Sequence, residues 1–165
     1  MPAERAPIVL VDDNPSDVEL TVRTLRKANI ANEVVVLADG QEAVDFLLGA
    51  SGAPARELPS VILLDLKLPK VDGIEVLRRL RADERTRCVP VVVMTSSNQE
   101  SDLVRSYALG ANSYIVKPVD FSQFAETVRE VGLYWMLLNH PPTGSPPAPA
   151  AHASHAPHTP KETGL

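Results

Sequence analysis

The amino-acid sequence predicts an α/β protein, a doubly wound sheet of five parallel strands with helices on both faces. Three observations predict it. Five short runs, at 8–11, 34–38, 61–64, 91–94 and 114–116, are rich in β-branched residues and mostly lack polar alternation, the pattern of strands covered on both faces. Helical periodicity follows each run. Strand therefore alternates with helix five times, an order that implies right-handed crossovers.

The elements follow in order. After the first strand, Pro15 occupies a position tolerated at the start of a helix, Asn14 precedes it as a cap, and Val18, Val22 and Leu25 recur at spacings of four and three. The second strand leads into a helix at 41–48. Residues 49–60 carry Gly, Ser and Pro and read as a long surface loop before the third strand. A helix at 73–81 comes next. Arg78, Arg79, Arg81, Arg85 and Arg87 cluster there, but Asp83 and Glu84 are interleaved, as on a solvated helix face. The fourth strand is followed by a helix at 99–109, the fifth by a long one at 120–138.

The 165 residues suffice for one well-buried domain and are too few for two ordinary ones. Residues 139–165 hold seven of the 15 prolines and all four histidines. The expected organisation is a flexible start at 1–7, a body at 8–138 and a flexible tail at 139–165, because Pro, Ala, His, Ser and Thr bury too little apolar area to offset ordering entropy. His152, His155 and His158 read as part of that polar tract, not as a metal site. With 16 Lys and Arg against 21 Asp and Glu, and a net charge of -5, the chain lacks the basic excess of nonspecific nucleic-acid binding. The longest apolar run, 133–138, is far short of the ~20 residues that span a bilayer. No apolar stretch behind the first residues resembles a secretion signal, so a cytoplasmic location is expected. Cys88 is alone, which excludes a disulfide framework and a cysteine metal cage.

In an open parallel sheet, ligands bind beyond the carboxyl ends of the strands. Asp12 and Asp13 follow the first strand, Asp65 the third, Thr95 and Ser96 the fourth, Lys117 and Pro118 the fifth. A flavodoxin-like strand order of 2-1-3-4-5 gathers all of these at one edge. Converging carboxylates repel one another, and a hard divalent cation such as Mg²⁺, which prefers about six oxygens, removes the conflict. A lysine and a hydroxyl opposite suit phosphoryl oxygens. The set describes a site in which an aspartate attacks phosphorus.

These residues, with Leu68-Pro69 and Asp72-Gly73 after the central aspartate, resemble the receiver domain of two-component response regulators from residue 8 to about 138. The stretches 12–17, 64–80, 112–120 and 132–135 are more narrowly similar to the small regulators that partner phytochrome-type histidine kinases. The resemblance implies that Asp65 accepts a phosphoryl group from a phosphohistidine of a sensor histidine kinase, a bacteriophytochrome. It implies Mg²⁺ or Mn²⁺ held by Asp13, Asp65 and the backbone carbonyl of Lys67, with Asp12 acting through water. Lys117 would bind the phosphoryl group next to a cis peptide at Pro118, Thr95 and Ser96 would line it, and Tyr114 would swing inward with Thr95. Lys67 and Ser97 hold positions that tune phosphate loss in receivers. Asp17, Val18 and Thr21 on the first helix would dock the kinase.

Only the tail follows the body in this sequence, so output is expected through protein contact, onward phosphoryl relay or drainage of phosphate from the kinase, with no enzyme activity beyond self-phosphorylation and slow autodephosphorylation. In the last helix the sheet-facing stripe accounts for Phe124, Val128 and Val131. The run 133–138 is apolar all round and predicts a homodimer through Leu133, Tyr134, Trp135 and Leu138. Rival readings fit less well. Mg²⁺-dependent phosphohydrolases resemble Asp-x-Asp at the nucleophile, whereas Leu66 and Lys67 follow Asp65. Flavodoxin and P-loop phosphate-binding loops are absent. The alternative is a pseudo-receiver, a binding module that never takes phosphate, but its usual mark, a lost acid or lysine, is missing.

Overall fold

The computed structural model describes residues 5–49 and 57–138, except for the side chains of 137 and 138. Expectations for residues 1–4, for most of the 49–60 loop, for the Leu138 side chain and for the tail with its histidines lie outside the described residues. Five strands, β1 (Ile8–Val11), β2 (Val34–Leu37), β3 (Val61–Leu64), β4 (Val91–Thr95) and β5 (Ser113–Val116), pair parallel in the order β2-β1-β3-β4-β5. This is the expected doubly wound order. Between and after them run α1 (Pro15–Lys27), α2 (Gly40–Leu48), α3 (Gly73–Ala82), α4 (Glu100–Ala108) and α5 (Phe121–Leu133), and a π-helical turn, Tyr134–Leu138, closes the body.

The three central strands are buried along their whole length, and period-two alternation splits their side chains between two cores. Val9, Val11, Ile62, Leu64, Val91 and Val93 pack with Ala43, Leu47, Leu77 and Leu80 of α2 and α3. Ile8, Leu10, Val61, Leu63, Val92 and Met94 pack on the other face with Leu25 of α1 and with Phe124, Val128 and Val131 of α5. The edge strands β2 and β5 are only partly covered.

Helix starts carry the local signals that define them. Asn14 accepts from the backbone N–H groups of Ser16 and Asp17, and Asp39, Asp72 and Asp120 cap α2, α3 and α5 in the same way. Gln99, at the start of α4, makes no side-chain cap bond.

The expected dimer surface needs correction. Trp135 is only 9% exposed and lies in the core between the sheet, α1 and α5. The reason is its register: Phe124, Val128, Val131 and Trp135 fall at spacings of four, three and four, one continuous inward stripe. Tyr134 stays half exposed and meets the Trp135 ring edge to face, with centroids 5.1 Å apart. Leu133 is partly buried.

Candidate functional site

Parallel pairing brings the strand ends level and extends the ladder one residue beyond them. The Asp12 N–H donates to the Leu37 carbonyl at 3.1 Å, the Asp65 N–H to the Val11 carbonyl at 2.9 Å, and the Lys117 N–H to the Thr95 carbonyl at 2.7 Å. Backbone hydrogen bonding thus fixes where these three side chains leave the sheet. The Lys117 ammonium donates to Asp12 Oδ2 at 2.7 Å, Asp65 Oδ2 at 2.9 Å and Asp17 Oδ2 at 3.0 Å, matching its three donors to three carboxylates. The remaining oxygens of the two buried acids are also engaged: Asp12 Oδ1 accepts from the Asn14 N–H at 2.9 Å and Asp65 Oδ1 from the Lys67 N–H at 3.2 Å.

Burial pushes the Asp12 carboxyl up from its ordinary value, although hydrogen bonds from Lys117 and the Asn14 N–H oppose this. Burial by itself would lower Lys117, but its hydrogen bonds to Asp12 and Asp65 outweigh that and hold the ammonium above its usual range. The two directions conflict over one contact. At 2.7 Å, with two further carboxylates on the same ammonium, the charged pair is the favoured form. Exposed Asp13 completes an acidic group in which one carboxylate oxygen each from Asp12, Asp13 and Asp65 lies within 4.8 Å of the others. An all-oxygen donor set of this size suits Mg²⁺ or Mn²⁺.

The loop after Asp65 is held tightly. The Gly73 N–H donates to the Leu66 carbonyl at 2.8 Å, and a Cβ at Gly73 would lie 2.2 Å from the Asp65 carbonyl oxygen, so only glycine lets α3 start there. On the other side of the site, Thr95 is fully buried and its hydroxyl oxygen accepts from the Ser97 N–H at 3.3 Å. Ser97 Oγ donates to Asp102 Oδ2 at 2.5 Å. The Tyr114 hydroxyl donates to the Ser97 carbonyl at 2.8 Å, its ring packed against the core, so the phenol is turned toward the β4–α4 loop. Ser96 is exposed.

The family model of the response regulator receiver domain matches residues 8–129. The chain belongs to this family. Response regulator Rcp1 of Synechocystis sp. is 35% identical over 78% of this chain and 88% of its own length. The Mn²⁺-bound form of Rcp1 superposes with a TM-score of 0.77, covering 83% of this chain and 99% of that one. The bacteriophytochrome response regulator AtBRR is 52% identical, with 83% of this chain and 99% of its own covered and a TM-score of 0.64. The probable methanogenesis regulatory protein FilR2 of Methanothrix harundinacea is 42% identical over 82% of this chain and 86% of its own.

Two expectations for this receiver are corrected. No cis peptide occurs among the described residues, so the Lys117–Pro118 bond is trans. The trans form of an X–Pro bond is favoured by about 0.5–1 kcal/mol, and with it Lys117 already reaches all three carboxylates. Nor is the first helix face open as expected. Thr21 is 2% exposed and lines a small cavity with Leu10, Asp12, Met94 and Phe124, while Val18 packs partly against the same core. Both follow from the inward spacing of Val18, Thr21 and Leu25. Asp17, expected to face a kinase, instead joins the receiver's ion-pair group, and Asp102 enters through Ser97. Sequence reading missed both roles; the available signal for Asp17 was its place in the first turn of α1, beside the strand ends.

Proposed function

We propose that this receiver accepts a phosphoryl group on Asp65 from a phosphohistidine of a sensor histidine kinase of the phytochrome type. The observation that carries the reading is the buried Asp65 carboxylate, hydrogen-bonded to Lys117 and level with Asp12 at the sheet edge. A carboxylate oxygen of Asp65 attacks phosphorus, the N–P bond of the phosphohistidine breaks, and its electron pair returns to the imidazole nitrogen. Asp12, Asp13 and Asp65 are the side chains that would hold Mg²⁺ or Mn²⁺, with the Lys67 carbonyl as a further ligand. When bound, the ion neutralises charge on the phosphoryl oxygens. Lys117 supplies the second positive charge. The kinase class is supported by the 52% identity with the bacteriophytochrome response regulator AtBRR.

Phosphorylation would act on the β4–α4 loop as a population shift. Thr95 and Tyr114 reach the same short segment, through the Ser97 N–H and the Ser97 carbonyl, so a phosphoryl group that draws in the Thr95 hydroxyl favours one position of Tyr114. Output then passes by protein contact or onward phosphoryl transfer, with a homodimer through the end of α5 as one form of that contact.

Incubation with Mg²⁺ and acetyl phosphate tests the reading. The expected product is one acid-stable, hydroxylamine-labile phosphate per chain, absent in Asp65→Asn. A wild-type protein that gains none is a pseudo-receiver, and the proposal fails.

A further inference from the structure

Lys117 is tied to one carboxylate that stands outside the group of Asp12, Asp13 and Asp65. Asp17 sits in the first turn of α1, where its backbone N–H donates to the Asn14 cap at 3.2 Å, and its carboxylate takes the third hydrogen of the Lys117 ammonium at 3.0 Å. Its side chain is 28% exposed, against 4% for Asp12 and 9% for Asp65. Asp17 is thus fixed at its base by the helix cap and more open at its tip.

The other two partners of Lys117 are the problem that Asp17 answers. Asp12 Oδ2 and Asp65 Oδ2, at 2.7 and 2.9 Å from the ammonium, belong to the same carboxylates that a divalent cation would use. A cation and an ammonium cannot both keep those oxygens without close like-charge contact. A cation seated on those oxygens displaces the lysine, yet its side chain is only 8% exposed, and a buried ammonium without an acceptor is costly. One carboxylate outside the cation's set remains within reach.

We propose that Asp17 is a positioning residue for Lys117: it retains the ammonium at the site when a divalent cation takes over Asp12 and Asp65. The lysine swings about this anchor and stays poised for a phosphoryl oxygen. This rests on the receiver reading above. In the cation-free form Asp17 is one of three acceptors, whereas in the cation-bound form it becomes the sole carboxylate of Lys117. Its removal therefore weakens the bound form more than the free form and lowers cation affinity, and it does so through the lysine.

The test is a double-mutant cycle on the full chain, read as Mn²⁺ affinity by electron paramagnetic resonance in unphosphorylated protein. Asp17→Asn is combined with Lys117→Met, with Lys117→Gln as a second background should the first fold poorly by circular dichroism. The expected result is a loss of affinity of about fivefold from Asp17→Asn when Lys117 is present and almost none when it is replaced. Equal losses in both backgrounds would mean that Asp17 acts on the ion by its charge alone, and the proposal falls. No loss in either background also overturns it. Failure of the wild type to bind Mn²⁺ would instead overturn the underlying receiver reading, and this one with it.

Discussion

Carboxylates in this protein are set apart by their neighbours. Glu75, in the first turn of α3, accepts from both Arg78 and Arg79, and these hydrogen bonds hold its carboxyl down at about 2. A carboxyl depressed in the folded state contributes stability that is fully present above its ordinary 4.5 and is lost as the pH falls through about 2. Glu75→Gln is therefore expected to be less stable than wild type in urea at pH 6, with the difference closing as titration approaches pH 2. A difference independent of pH would assign the effect to packing. The same scale shows what a sequence can disclose. Asp12, Asp65, Thr95 and Lys117 were legible because each abuts an apolar run, and the sheet alone decides where such residues emerge. Asp17 and Asp102 were not, because their roles depend on how far a side chain reaches across a loop: Asp17 to Lys117, a hundred positions away, and Asp102 back to Ser97.

Among the helices α4 is the least anchored. It begins without a side-chain cap, its one buried residue is Ser106, and the Ser106 hydroxyl has no partner among the described residues, while Leu103, Val104 and Tyr107 are exposed. Its N-terminal end is held by the Ser97–Asp102 and Tyr114–Ser97 hydrogen bonds, the loop through which phosphorylation would act. Weak docking makes α4 the helix that opens at lowest cost. Gln99→Asp, supplying the missing cap, and Ser106→Ala, removing an unsatisfied buried hydroxyl, are each expected to stabilise by about 1 kcal/mol. Amide hydrogen exchange of α4 should slow in both, and unchanged exchange would show that α4 is not the weak element. Strands and helices came out within one or two residues of their sequence limits, except at the chain's last helix. There the apolar run 133–138 conceals a change from α-helix to π-helical turn, which no hydrophobic spacing signals, although the inward stripe through Trp135 was readable.

Over the whole molecule, the sheet is covered on both faces and its apolar exposure collects toward the β5 edge. Val104 and Tyr107 on α4, Val116 on β5, and Val119 and Phe121 before and at the start of α5 are all more than 40% exposed. Tyr134 adds a half-exposed ring at the far end of α5. Trp135 belongs to the other category, since its indole completes the core between the sheet, α1 and α5. The two roles separate under mutation. Trp135→Ala removes a buried ring and is expected to cost about 3–5 kcal/mol in denaturant unfolding followed by circular dichroism, with no change in mass by light scattering. Tyr134→Asp removes a half-exposed ring and its edge-to-face contact with Trp135, and should cost only about 0.5–1.5 kcal/mol while converting the proposed homodimer to monomer. If Phe121→Asp dissociates the dimer and Tyr134→Asp does not, the contact lies at the β5 edge instead of the end of α5. A wild type that scatters as a monomer at all concentrations removes the homodimer and leaves contact with a different protein as the route of output.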